Sequence, residues 1–259
     1  MKYFWILTLV VLASCTNTEI PETPSTFNPE ENKKDSYEGM SKKEAIELHI
    51  RRELSISADQ PLDYEIYEAN CDGDDSLDAI ITVNLLDRAV DEAIASENVA
   101  KRAAIGYMGR YNFIIYRDGF TGKMGSAKPI ASSPKAKLKV SFENIRSEKQ
   151  KDILVDYRIL NAAYRNFYTI TNGRPEQTNQ VKLFDALGTP EAAAFYIAYE
   201  PGMISSAKDI VSYVGKFENP TFANPDDVYT YDLDVTKTDV LKERWFFNPE
   251  TMKYYLKLD

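Results

Sequence analysis

The chain is short of the residues from which most catalytic centres are built. A single histidine, His49, stands among 259 residues, so a multi-histidine zinc site cannot be assembled. His49 falls three residues after Ile46, at the edge of an apolar helical face, and a structural role is expected of it. Neither Gly-x-Ser-x-Gly nor His-Glu-x-x-His occurs, which removes two signatures of hydrolases. Asp118-Gly119-Phe120-Thr121-Gly122-Lys123 hints at a phosphate loop. The P-loop spacing is absent, however, and Met124 stands where Ser or Thr should follow the lysine, so a hairpin turn is expected. No apolar run reaches the roughly 20 residues that span a bilayer as a helix. Positive charge is scarce: 31 Lys and Arg face 40 Asp and Glu, for a net charge of −9. An acidic surface repels phosphate backbones, which argues against nucleic acid as a partner. So many acids supply no unique pair of carboxylates for glycoside hydrolysis. The chain reads as a protein that is not an enzyme.

The most informative segment that is present is the N-terminus. Lys2 gives a short positive region, Tyr3 to Val11 is unbroken apolar sequence, and Leu12-Ala13-Ser14-Cys15 follows. Its length and flanks are those of a cleavable signal. The ending resembles the lipobox of bacterial lipoproteins. That likeness implies a signal peptide over 1–14, cleavage before Cys15, and acylation of Cys15, palmitate included, to hold the protein on a lipid bilayer. Thr16 follows the cysteine where lipoproteins kept at the inner membrane often carry Asp. This points to a cell-envelope protein of the outer membrane, facing the periplasm or the cell surface. Loss of Lys2 on cleavage takes the net charge to about −10. Once Cys15 is acylated only Cys71 remains, so no internal disulfide can form, and Cys71 is expected to be a small packed thiol. The segment that follows, to residue 40, has three prolines, many polar residues and no hydrophobic period. It reads as a disordered tether spanning about 25–30 Å.

Residues 41–259 remain for a single folded domain, and the 44% hydrophobic content is enough for a core. Ser41-Lys42-Lys43-Glu44 is a capping box, after which Ile46, Ile50 and Leu54 share one helical face. Strands are expected at 62–69 and 78–84, then a helix over 86–105 with Leu86, Val90, Ala93, Ile94, Ala100 and Ala104 on one stripe. Further strands are expected at 111–117, 137–143, 152–160, 164–171, 193–199 and 229–235, the last from the alternation of Tyr229, Tyr231, Leu233 and Val235. A final hairpin turns at Asn248-Pro249-Glu250-Thr251. The expected fold class is α+β: predominantly antiparallel β-sheet, with an N-terminal helix and one inserted helix.

Between the first two strands lies Asn70-Cys71-Asp72-Gly73-Asp74-Asp75-Ser76-Leu77-Asp78. Side-chain oxygens at positions 1, 3, 5 and 9, with the carbonyl at position 7, can converge on one hard cation, and calcium accepts such all-oxygen sets in flexible geometry. The alternative is a solvated acidic turn. These residues resemble the calcium loops of FG-GAP and VCBS-type repeats, which run straight into a hydrophobic strand as Asp78-Ala79-Ile80-Ile81-Thr82-Val83 does. The likeness implies calcium held by the side chains of Asn70, Asp72, Asp74 and Asp78 and the carbonyl of Ser76. The sequence departs from the pattern at position 1, where Asn removes a charge, and at position 6, where Asp75 replaces Gly.

An internal duplication is also expected. Asn70 and Asp78 stand eight apart before DAIITV, as Asn144 and Asp152 do before DILVDY. Asn112-Phe113, Gly119 and Lys128 have the mutual spacing of Asn166-Phe167, Gly173 and Lys182. In the second copy Arg146 stands in place of Asp72, so that loop should hold no cation. The functional expectation is a calcium-stabilised binding or structural module with a protein or glycan ligand. Seventeen tyrosines and two tryptophans make carbohydrate binding the runner-up, with glycoside hydrolysis behind it.

Overall fold

The computed structural model describes residues 37, 39–97 and 109–256. The signal segment, Cys15, almost all of the tether and the second half of the expected helix 86–105 lie outside the described residues.

Helix α1 (Lys42–Leu54) begins where the capping box places it: Ser41 caps the backbone of Glu44, and the Glu44 carboxylate accepts from the Ser41 N–H. Its face of Ile46, Ile50 and Leu54 packs with Ile81, Val83 and Ile115. The strands β1 (Asp63–Ala69), β2 (Asp78–Asn84), β3 (Gly109–Arg117) and β4 (Lys128–Ser132) form one sheet in that order. Helix α2 (Leu86–Ala95) sits between β2 and β3 in the chain and buries Ala89 and Ala93. Ile94, expected on the buried stripe, is exposed. Ala89 and Ala93 are the side chains it buries, with Leu86 and Val90 half-buried beside them.

A second sheet runs β5 (Lys139–Glu143), β6 (Asp152–Ile159), β7 (Ala162–Thr171), β8 (Arg174–Asp185), β9 (Ala193–Glu200), β10 (Asp209–Lys216), β11 (Thr236–Asn248) and β12 (Lys253–Leu256), again in chain order. Every described strand pairing is antiparallel. The second sheet is nearly divided in its middle, since β8 and β9 are joined only through Phe184↔Ala194 and Asp185↔Ala193. The strands therefore fall into three four-stranded meanders: β1–β4, β5–β8 and β9–β12.

Side-chain alternation explains how the meanders stack. Ile153, Val155 and Tyr168 of the middle meander pack against Ile80, Ile114 and Ile130 of the first. On the opposite face Leu154, Phe167 and Val181 pack against Ile210, Trp245 and Phe247 of the third. Strand β6 is thus buried on both faces, which is why Ile153-Leu154-Val155 runs apolar without polar alternation between the two aspartates that flank it. The same holds for β2, whose Ile80 faces the middle meander while Ile81 and Val83 face α1.

Two expectations are corrected. Residues 229–235 are not a strand: Pro225–Tyr229 is a short 3-10 helix, and 230–235 pair with nothing in a ladder. Tyr229, Tyr231, Leu233 and Val235 do pack against the cluster of Phe184 and Val228. Their alternation reports burial, while the carbonyls of Val228 and Tyr231 are taken by the Arg158 guanidinium. The register of the expected duplication is also wrong in its second half. Asn112 lies opposite Asn84, six past Asp78, whereas Asn166 lies opposite Val155, three past Asp152. Strand order and direction agree between the first two meanders, but that asparagine match is accidental.

Candidate functional site

The acidic stretch forms the loop 70–77 between β1 and β2, with Asp78 as the first residue of β2 opposite Ala69. Two more loops share its build. Loop 144–151 ends at Asp152, opposite Glu143, and loop 201–208 ends at Asp209, opposite Glu200. All three contain eight residues and close with an aspartate that is 0%, 2% and 0% exposed, respectively. Each aspartate accepts from a backbone N–H near the start of its own loop: Asp78 from Cys71 at 2.9 Å, Asp152 from Arg146 at 2.9 Å and Ile145 at 3.3 Å, Asp209 from Met203 at 3.3 Å. The loops also touch in succession. Lys151 N donates to Asn70 O and Lys208 N to Ile145 O, both at 2.8 Å.

The three aspartates differ in what answers their charge. Asp152 is paired with the Arg146 guanidinium, both side chains nearly inaccessible, and Arg146 also reaches Thr169. Asp209 is paired with Arg244 at 3.0 Å. Arg244 lies opposite Val211 on β11, two past Asp209. The same ladder place in the first meander, opposite Ile80, holds Tyr116. Its single hydroxyl proton is shared between two carboxylates, Asp78 at 2.9 Å and Asp72 at 3.2 Å. Gly119 N completes the set, at 2.9 Å from Asp78. Gly119 must be glycine, because a Cβ there would fall 2.2 Å from the Leu77 carbonyl oxygen. Asp78 therefore has two amides and a phenol around it, and no Lys, Arg or His among the described residues pairs with it.

The rest of the loop is turned on itself. Asn70 Oδ1 accepts from Gly73 N at 2.8 Å, Asp72 Oδ1 from Asp74 N at 3.1 Å, and Asp74 Oδ1 from Ser76 N at 2.6 Å. The Asn70 amide donates to the Asp74 carbonyl. Among the described residues no group of three or more His, Cys, Asp or Glu is gathered as metal ligands. The donor set is still all oxygen, and a carboxylate has about four acceptor positions, so each acid keeps lone pairs beyond the bonds named. In chemistry the residues fit calcium.

The carboxylates leave their mark on two neighbours. Burial, then the charges of Asp78, Asp72 and Asp152, pushes the Cys71 thiol far above its ordinary range, and this fully buried cysteine is packed within the core between the first two meanders. Burial and the bond to Asp78 raise the Tyr116 phenol likewise. Tyr116 is the site residue that sequence reading missed: in the contiguous apolar run Phe113-Ile114-Ile115-Tyr116 nothing marks it as a partner of Asp78.

The other residues weighed for function have structural places. His49 is 8% exposed and bonds the Gly125 carbonyl at 2.9 Å. The 118–123 segment is the β3–β4 turn, closed by Gly122 N to Asp118 O at 3.0 Å and Asp118 N to Lys123 O at 2.9 Å. No helix of the described residues is long and apolar enough to cross a membrane. Neither a protein-family model, nor a curated protein, nor a solved structure matches the chain.

Proposed function

We propose that this chain is an exported, lipid-anchored binding module built of three copies of one four-stranded unit, with calcium stabilising the first loop and no catalytic activity of its own. The observation that carries the reading is the difference among the three buried aspartates. Asp152 has Arg146 and Asp209 has Arg244, while the bonds to Asp78 come from neutral groups. A buried carboxylate without a compensating charge is costly, by about 3–5 kcal/mol when a partner is removed. Asp72, at the place of Arg146, makes the deficit larger. A divalent cation supplies in the first copy what an arginine supplies in the others.

Asn70, Asp72, Asp74 and Asp78 would hold the ion through side chains, and Ser76 through its carbonyl. Its role is to neutralise the loop and pin the β1–β2 connection against the β3–β4 turn. Calorimetric titration of the mature protein with calcium tests this. One site is expected, with an affinity of about 10⁻⁴–10⁻³ M, the range of extracellular modules, and Asp74→Ala should abolish it. Absence of heat and of any spectral change up to millimolar calcium would reduce the loop to a solvated turn.

The anchor rests on the lipobox likeness at Leu12-Ala13-Ser14-Cys15. Cys15→Ala should abolish incorporation of labelled palmitate. Equal labelling of the variant would remove the lipoprotein reading and the outer-membrane location with it.

A further inference from the structure

At the end of the middle and third meanders away from the loops, a cleft of about 320 Å³ opens among β5–β9 and the segment 229–235. That volume lies at the lower end of small-molecule sites, roughly 300–1,000 Å³. It is set apart from the acidic loop: β6 starts at Asp152, beside that loop, and reaches the cleft at Asp156–Arg158, a run of about 13–20 Å at the usual strand rise.

Its lining is unlike the rest of the molecule. In a chain of net charge −9, the cleft is bordered by Lys137, Lys139, Arg158 and Arg165 against Asp156 and Asp232, four cations to two acids. Most of these charges are already matched. Arg165 grips Asp156 at 2.6 and 2.7 Å, Lys139 pairs with Asp232, and Lys137 reaches out of the cleft to Asp63 at 2.6 Å. Arg158 is the exception. It donates to the carbonyls of Val228 and Tyr231 and lies 4.8 Å over the Phe184 ring. Among the described residues it makes no ion pair, and the two acids nearest in effect, Asp232 and Asp156, are each held by another cation. A half-buried guanidinium with neutral partners leaves a positive charge in the wall unanswered.

Half of the apolar lining residues are aromatic. Tyr157, Phe184, Phe195, Tyr196 and Tyr229 border the cleft, and Tyr196 is 38% exposed, so a ring face is available to a ligand. Aromatic faces take up flat apolar surface, whether an aromatic ring or the C–H face of a sugar. We infer that the cleft binds a small organic anion, a ring of monosaccharide size carrying a carboxylate or phosphate, with its charge beside Arg158 and its ring against the tyrosines. This rests on the binding-module reading but is independent of the calcium loop.

The test is an NMR and calorimetric titration of the mature protein with galacturonate, glucose 6-phosphate and, as the neutral control, galactose. At least one of the two anions should bind with millimolar affinity, perturb Tyr196 and Arg158 signals, and exceed galactose by about tenfold or more. Preference between the two anions reveals whether the carboxylate or the phosphate is the natural charge. Tyr196→Ala and Arg158→Gln should each weaken binding at least fivefold. Because Arg158 also holds segment 228–231, Lys139→Gln serves as a second charge variant that leaves that clamp in place, and it should weaken the anion without changing the response to galactose. Equal binding of all three sugars, or no perturbation at the cleft by any of them, overturns the inference. If calcium titration succeeds while these probes fail, the module stands and only the cleft assignment falls.

Discussion

At Asp78, Asp152 and Asp209 one residue type does one job three times: a carboxylate buried at the start of a strand ties the preceding loop to it through backbone N–H groups. The partner supplied to that carboxylate was free to vary, as tyrosine, loop arginine or strand arginine. Glu200, opposite Asp209, belongs to the same third-unit network. It accepts from the Tyr213 hydroxyl and from Arg244, with Lys237 at 3.6 Å. The Tyr213 bond first, then Arg244 and Lys237, hold its carboxyl below the ordinary 4.5, against the opposing effect of burial. A pKa depressed on folding contributes stability that is fully present above the unfolded value and is lost as pH falls through the folded one. Glu200→Gln should therefore destabilise the protein at neutral pH, and the gap from the wild type should shrink as pH drops below 4.5. Denaturant melts of both proteins at several pH values check this; a gap that stays constant to acid would mean that Glu200 is not held by its charge.

Among the elements, those built on long periodic patterns were legible in the sequence. The capping box and the Ile46, Ile50, Leu54 face placed α1, and apolar runs placed β2, β3, β6 and β7. Strands β4, β8 and β10 were not read. Strand β8 carries Pro175 and six polar residues in its first seven, because its outer end has little to pack on. The signal that could have found it is Asn172-Gly173, where φ is 51° and 70°, the positive pair that a tight hairpin turn demands. In the second of the three loops the arginine read at the third position meets a carboxylate of its own loop, the Arg146 guanidinium pairing with Asp152. Arg146→Met should strand that carboxylate and cost about 3–5 kcal/mol, measurable as a lowered denaturation midpoint. A loss under about 1 kcal/mol would show that the amides alone satisfy Asp152.

For the whole molecule, hydropathy gave antiparallel sheet but not the number of units. The expected duplication came from Asn and Asp spaced eight apart before an apolar strand. The third unit escaped because loop 201–208 opens with Pro201 where the others have asparagine, and its β10–β11 connection is stretched by the segment 217–235. What the third loop keeps is its length and its aspartate, features too sparse to stand out in one sequence. The stacking follows from the same simplicity: the middle meander has two apolar faces, one covered by the first meander and the other by the third, while α1 covers the remaining apolar face of the first. The candidate metal loop was legible as chemistry, since every proposed ligand lies on one turn. The cleft was not, because Arg158, Tyr196 and Tyr229 come together only when β6, β9 and the 229–235 segment are folded against each other.

If calcium in the first copy stands in for the arginine of the second, the two should be interchangeable, and Asp72→Arg places the guanidinium where Arg146 has it. The measurement is the thermal melt of wild type and Asp72→Arg, each in excess chelator and in millimolar calcium. Wild type should gain on the order of 1 kcal/mol from calcium by mass action, whereas Asp72→Arg should melt at one temperature in both conditions and above the wild type in chelator. A wild type that melts identically with calcium and with chelator, or an Asp72→Arg variant less stable than the ion-free wild type, would contradict the account.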